Sequence, residues 1–350
     1  MDGKTISPKI AEAHSTLLDQ FGRPMRDLRI SVTDRCNFRC FYCMPAEIYG
    51  ERYEFLPRPE ILDYEEITRL ASIFVQMGIN KIRLTGGEPL VRAHLERLVA
   101  MLAEIQGVED ITLTTNGYLL AQQAQVLRDA GLRRISVSLD TLDDDIFSKM
   151  NGRSFDTHRV LEGISKAEEV GFHPIKINAV VVKGVNDHTV VELARFCKER
   201  GYIVRFIEYM DVGTRNGWKL DKVVSAKEIL HRINDEMPLE PVEKSYRGEV
   251  ANRYGYLEGS GEVGVISSVT EPFCGDCTRM RLSPDGKIYT CLFANFGHDL
   301  KTPLRSAATD DDLREMITGI WRKRTDRYSE ERASMTEPLP RKVEMYQIGG

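Results

Sequence analysis

The chain has 350 residues, 42% apolar and 29% charged, a balance that fits a folded globular protein and argues against a disordered one. A formal net charge of −5 gives no reason to expect a polynucleotide partner, and no apolar run approaches the ~20 residues of a membrane-spanning helix. The first twenty residues mix acidic and basic side chains without an apolar run, which fits neither a secretory signal nor a transit peptide, so a cytoplasmic location is expected.

Residues 1–22 read as a short mobile arm with no role of their own. From there to about residue 210, six β-branched runs are predicted as strands: 27–33, 81–85, 110–115, 134–139, 174–182 and 203–209. Their nearly continuous apolar character suits strands covered on both faces. Amphipathic helices are predicted between them over 65–77, 95–105, 121–130, 157–170 and 190–200, most stopped by a glycine. Alternation of this kind implies right-handed βαβ units on a parallel sheet. Six units are too few for a closed eight-unit barrel, so a partial barrel is favoured and a flat doubly wound sheet stays open.

The alternation fades after Gly213, where 214–217 reads as a turn and 223–234 as one more helix. Short β-like runs at 264–269 and 287–290 and a helix at 311–322 then lead to Gly349-Gly350. The expected organisation is an arm over 1–22, a barrel over 23–240 and a smaller appended domain over 241–350.

Seven cysteines without a secretory signal do not read as a disulfide framework. Cys36, Cys40 and Cys43 lie near the start, Cys274, Cys277 and Cys291 near the end, and Cys197 sits in a helical pattern as a buried structural thiol. The first triplet follows the first strand, at the edge where α/β proteins bind ligands. Three thiolates can hold three irons of a cubane cluster and leave the fourth open, whereas a closed zinc site wants four ligands. The second triplet repeats that logic with Arg279 and Arg281 threaded through it, although His298 or an Asp could complete a zinc site there.

Other strand ends carry Gly86-Gly87-Glu88-Pro89, Thr114-Thr115-Asn116-Gly117 and Ser136-Val137-Ser138-Leu139-Asp140, whose hydroxyls could equally be helix caps. Basic residues suited to phosphate (Arg29, Arg83, Lys176, Arg279 and Arg281) recur along the strands, and their alternation points some into an enclosed interior.

The loop Cys36-Asn-Phe-Arg-Cys40-Phe-Tyr-Cys43, with the Gly-Gly-Glu-Pro turn, resembles the signature of the radical S-adenosylmethionine superfamily. The runs 27–40, 81–92 and 274–281 and the final Gly-Gly resemble the branch that cyclises GTP to 3′,8-cyclo-7,8-dihydro-GTP, opening molybdenum cofactor biosynthesis. The resemblance implies a partial (β/α)6 TIM-like barrel and two [4Fe-4S] clusters, on Cys36, Cys40 and Cys43 and on Cys274, Cys277 and Cys291. It implies S-adenosylmethionine at Tyr42, Gly87, Ser138 and Met210. GTP would lie at Arg29, Arg83, Thr114, Lys176 and Arg279-Met280-Arg281. Arg279, Arg281, Gly349 and Gly350 would assist catalysis, the tail folding toward the second cluster. A one-electron donor is required but not specified, and the sequence leaves a monomer and a homodimer equally open. Rival readings are a radical enzyme that modifies peptides, which would carry a longer C-terminal cysteine set, and a zinc-binding structural protein.

Overall fold

A computed structural model describes residues 16–246, 248–334 and 341–350. The six predicted barrel strands form as β1 (Asp27–Ser31), β2 (Lys81–Thr85), β3 (Asp110–Thr115), β4 (Arg134–Ser138), β5 (Lys176–Val181) and β6 (Ile203–Glu208), each pairing in parallel with the next. Their connecting helices are α1 (Tyr64–Gln76), α2 (Leu95–Ala103), α3 (Leu120–Asp129), α4 (Asp144–Asn151), α5 (His158–Glu169) and α6 (Val190–Arg200). Local chemistry fixes their ends. Asp63 caps α1 in a reciprocal capping box with Glu66, and Gly152 and Gly201 terminate α4 and α6 at positive φ. The apolar faces of strands and helices fuse into one core that includes Cys197, the buried thiol expected there.

The C-terminal third, expected as an appended domain over 241–350, adds its strands to the edges of the barrel sheet. After α7 (Ala226–Asn234), strands β7 (Leu239–Val242), β8 (Asn252–Tyr256), β9 (Glu262–Ile266), β10 (Arg279–Leu282), β11 (Lys287–Tyr289) and β12 (His298–Asp299) all join the same sheet. Among the described residues its order is β12-β11-β10-β1-β2-β3-β4-β5-β6-β9-β8-β7. Thus β10 pairs in parallel with β1 and β9 with β6, extending the partial barrel at both edges. Met280, Leu282 and Ile288 enter the common core, so the C-terminal part packs closely on the barrel. Buried Glu208, at the end of β6, accepts from the backbone of Ala226, Val269 and Thr270 and fastens the two parts together.

The expected arm is corrected in part. Residues 1–15 lie outside the described chain, but the stretch before Arg23 is tied down: Leu18 bridges to Pro24, and the Asp19 carboxylate is buried against Arg23 and Arg324. Helix α8 (Lys301–Arg305), α9 (Asp310–Arg322), α10 (Tyr328–Glu331) and α11 (Met345–Ile348) complete the chain, and no helix among the described residues is long and apolar enough to cross a membrane.

Candidate active site

A cavity of about 340 Å³ opens at the C-terminal ends of β1–β6 and runs through the barrel interior. Both cysteine triplets line it, as do Tyr42, Gly87, Ser138 and Met210 at the mouth. Arg29, Arg83, Thr114, Lys176, Arg279 and Arg281 line it from the strands. One row of predicted residues therefore meets the other across a single space, which sequence separation gave no direct reason to expect.

The first cysteine loop is held by the Gly86-Gly87-Glu88 turn that follows β2. Gly87 donates its N–H to the Thr33 carbonyl at 2.8 Å and Glu88 donates to Arg35 at 2.8 Å. A Cβ on Gly87 would lie 2.3 Å from the Arg35 oxygen, so only glycine allows this approach. Glu88 itself is not a free acceptor. Its buried carboxylate takes the Thr115 hydroxyl and the Asn116 N–H, each at 2.7 Å, and thereby ties the end of β3 to that of β2. Burial pushes its carboxyl up to about 7, against the pull of those bonds.

Asp140, after β4, accepts from the Tyr42 hydroxyl at 2.7 Å and from the Val180 N–H at 2.8 Å, and burial lifts its carboxyl to about 6. Burial likewise pushes the Cys36 thiol up to about 12, with Glu88 adding to it, and raises Cys40 and Cys43 strongly. Thiols this reluctant to ionise in apolar surroundings call for a cation to share. The backbone N–H of Phe38 already points at the Cys36 sulfur from 3.4 Å.

Within the second triplet Cys277 lies in a cationic setting, whereas burial, with Asp326 adding to it, pushes the Cys291 thiol up to about 12. Arg279 donates to the Cys277 sulfur at 3.3 Å, and Phe293 donates its N–H to the Cys291 sulfur at 3.4 Å. Burial alone would raise the Cys277 thiol, but Arg279 and Arg324 outweigh it and bring it down to about 6. Among the described residues no three Cys, His, Asp or Glu side chains gather closely enough for one metal ion. In a cubane each thiolate meets a different iron, so the two triplets fit that group better than a shared zinc ion.

The strand registers explain the rest of the lining. Arg29 is level with Arg83 on one side and Arg281 on the other, and Arg83 is level with Thr112; Thr114, Ser136 and Lys176 form a second row, two residues further along β3. Arg83 donates to Thr114 at 2.9 Å. Arg29 is discharged more easily than an ordinary arginine because of burial, with Arg281, Arg83 and Arg279 adding repulsion. Burial likewise lowers Lys176 to about 7, with Arg205 the next cause. Among the described residues Arg29, Lys176 and Arg205 make no ion pair or hydrogen bond, and the more distant carboxylates of Asp27 and Glu249 offset their charge only in part.

Two predicted residues sit elsewhere. Met280 points away from the cavity and is fully buried in the core, because neighbours along a strand alternate faces and Arg279 and Arg281 take the inner one. Gly349 does not line the cavity but stacks on the wall: at φ +72°, a Cβ there would meet Thr85 Cγ2 at 2.1 Å. Its carbonyl accepts from Arg281, and Gly350 reaches the cavity. The tail is thus docked rather than frayed. Tyr346 packs beside the first triplet with Met44 and Tyr49, while Met345 packs beside the second with Phe293.

Residues the sequence reading left out include Arg205 and Asn178, and Asp140 appeared there only as part of a strand-end segment with no role of its own. Arg205 alternates along β6 as Arg29 does along β1, a pattern that could have selected it. The Asp140–Tyr42 bond spans 98 residues and left no such sign.

Residues 30–197 match the Radical SAM superfamily, and residues 202–330 match Molybdenum Cofactor Synthesis C. The chain is 55% identical to the GTP 3′,8-cyclase of Acidothermus cellulolyticus over 95% of this chain and 98% of that protein. It is 48% identical to the GTP 3′,8-cyclase of Staphylococcus haemolyticus over the same shares of the two chains. The chain belongs to the GTP 3′,8-cyclase family. Among solved structures, Streptococcus suis SuiB bound to S-adenosylmethionine superposes with a TM-score of 0.60 at 18% identity, over 84% of this chain and 68% of that one. That likeness confirms for this family member the partial-barrel fold of radical S-adenosylmethionine enzymes, with the cysteine loop after β1.

Proposed function

We propose that this chain is a radical S-adenosylmethionine GTP 3′,8-cyclase acting in the cytoplasm, and that the cations lining its cavity bind the substrate. The carrying observation is that Arg29, Lys176 and Arg205 line the same cavity as both triplets and, among the described residues, are engaged in no ion pair or hydrogen bond, with Asp27 and Glu249 offsetting their charge only in part. A nucleoside triphosphate supplies the missing negative charge, and arginine forks match phosphate oxygens two at a time.

Cys36, Cys40 and Cys43 fit one [4Fe-4S] cluster and Cys274, Cys277 and Cys291 a second. When bound, the first cluster with S-adenosylmethionine supplies the radical that abstracts hydrogen, and the second offers an open iron to the base. Everything else falls to the protein. Tyr42, Gly87, Ser138 and Met210 form the wall for S-adenosylmethionine, with Asp140 fixing Tyr42 and offering negative charge toward the sulfonium. Arg29, Arg83, Thr114 and Lys176 hold the triphosphate and ribose, with Arg205 added to that set. Arg279 and Arg281 stand between the phosphates and the second triplet, and Arg281 also holds Gly349 so that Gly350 closes on the cavity.

Anchoring both ends of GTP holds C3′ near C8, which converts ring closure into a favourable unimolecular step. A hydrogen atom leaves C3′, the C3′–C8 bond forms, and one electron and one proton arrive on the ring, so product and substrate have the same composition. A one-electron donor is therefore a necessary partner.

Anaerobic incubation with GTP, S-adenosylmethionine and dithionite, followed by mass spectrometry, tests the reading. A cyclised isomer of GTP together with 5′-deoxyadenosine is expected. Release of 5′-deoxyadenosine with GTP untouched, or modification of a peptide instead, would overturn it.

A further inference from the structure

The segment before β1 does something the reaction does not yet use. Asp19 is completely buried and holds two arginines from opposite ends of the chain: Arg23 at 2.5 Å and Arg324 at 3.3 Å. The side chains of both arginines are 1% exposed. Each guanidinium then reaches the second cysteine triplet. Arg23 donates to the Cys274 carbonyl at 2.8 Å, and Arg324 donates to the Cys277 carbonyl at 2.8 Å.

Further contacts fix the arrangement. The backbone N–H groups of Phe21 and Arg23 both donate to Asp19 at 2.9 Å, so the carboxylate cannot swing. The Trp321 indole donates to the Arg23 carbonyl at 3.2 Å, and the Arg324 guanidinium lies 4.6 Å from the centre of the same ring. Arg23 also donates to the Asp326 carbonyl at 2.9 Å, while the Asp326 carboxylate approaches Arg324 Nε at 3.4 Å. One Arg23 nitrogen, Nη2, is buried with no partner.

A fully buried ionic cluster is seldom retained for stability alone, because removing its charges from water costs several kcal/mol per ion before the pairing is counted. Here the charges aim at the backbone of two of the three ligand residues. We infer that Asp19, Arg23 and Arg324 form a positioning clamp for the second cluster, setting the spread of Cys274 and Cys277, with Arg324 also placing positive charge beside it. The groups around a cluster tune its potential through exactly such charge and backbone placement.

This rests on the second triplet holding a cluster, and the test separates the two claims. Iron and sulfide content and an electron-paramagnetic-resonance redox titration are measured on the reconstituted wild type and on Asp19→Asn, Arg324→Gln and Arg324→Lys. In Arg324→Gln the second cluster is expected to become harder to reduce while the first cluster's signal stays in place. Arg324→Lys restores most of the potential because it restores the charge. Asp19→Asn, which frees both guanidiniums, is expected to lose iron from the second site selectively.

If the wild type itself holds one cluster, the two-cluster reading fails and the clamp with it. If the wild type holds two but Arg324→Gln and Asp19→Asn keep full iron and an unshifted potential, the clamp alone is wrong. Equal loss of both clusters in every variant, with loss of circular dichroism, would instead make the triad a general staple of the fold and also overturn the inference.

Discussion

Around Cys36 and Cys40 the carboxylates of Glu88 and Asp140 add to the effect of burial, whereas around Cys277 the guanidiniums of Arg279 and Arg324 overcome it. Both triplets offer three sulfurs, but at Cys277 the guanidiniums overcome burial, whereas Cys291 beside it is still pushed up to about 12. In the proposed reading S-adenosylmethionine lies beside the first triplet and GTP spans the cavity toward the second.

That contrast can be broken most severely at the first triplet. Cys36→Ser is expected to reduce 5′-deoxyadenosine formation by about 10³-fold or more, measured by chromatography after reduction with dithionite. Cys274→Ser should leave the first cluster's signal intact while cyclisation is lost. Equal loss of the first cluster in both variants would show that the triplets are not independent.

A smaller effect is expected at the cationic wall. Arg29→Ala or Arg205→Ala removes charge-assisted bonds of roughly 1.5–3 kcal/mol, a ten- to hundredfold weaker GTP affinity. Equilibrium dialysis should show this with S-adenosylmethionine affinity unchanged. A matching loss for both ligands would deny the division of charge.

Lys176 sharpens the same point through pH. Burial first, then repulsion by Arg205, brings its ammonium down to about 7 in the free protein. Below that pH it is already charged and GTP binds without taking up a proton. Above it, binding must recharge the amine, so affinity should fall as pH rises from about 7 toward 9, by up to about tenfold per pH unit. Lys176→Met should flatten that slope; an unchanged slope would remove Lys176 from the phosphate site.

The mildest change is Asp140→Asn. It weakens the hold on Tyr42 and removes negative charge from the mouth, and a several-fold, about 1 kcal/mol, loss of S-adenosylmethionine affinity is expected by titration calorimetry. GTP affinity should not move.

Much of the architecture was legible because the chemistry is periodic. β2, β3 and α6 fall on their predicted bounds, and the other barrel strands differ only by fraying at their ends. Helix α4 was missed because its Asp143-Asp144-Asp145 start reads as a polar turn, although Asp143 caps it and Gly152 ends it. β7, β8 and β10 are short, and their place in the sheet follows from pairing with distant strands rather than from local pattern. The cysteines and the cations of β1, β2 and β5 could be chosen from spacing and alternation. The orientation of Met280, the structural use of Glu88 and the buried attachment of Asp19 depend on partners far along the chain, and no local pattern announces them.

The most direct test of a hydrogen abstraction at the ribose beside the first triplet uses GTP deuterated at C3′. Transfer of the deuterium into 5′-deoxyadenosine, with a cyclised product lacking it at C3′, is the expected result. Unlabelled 5′-deoxyadenosine formed alongside a product that keeps its deuterium would contradict the placement of GTP across this cavity.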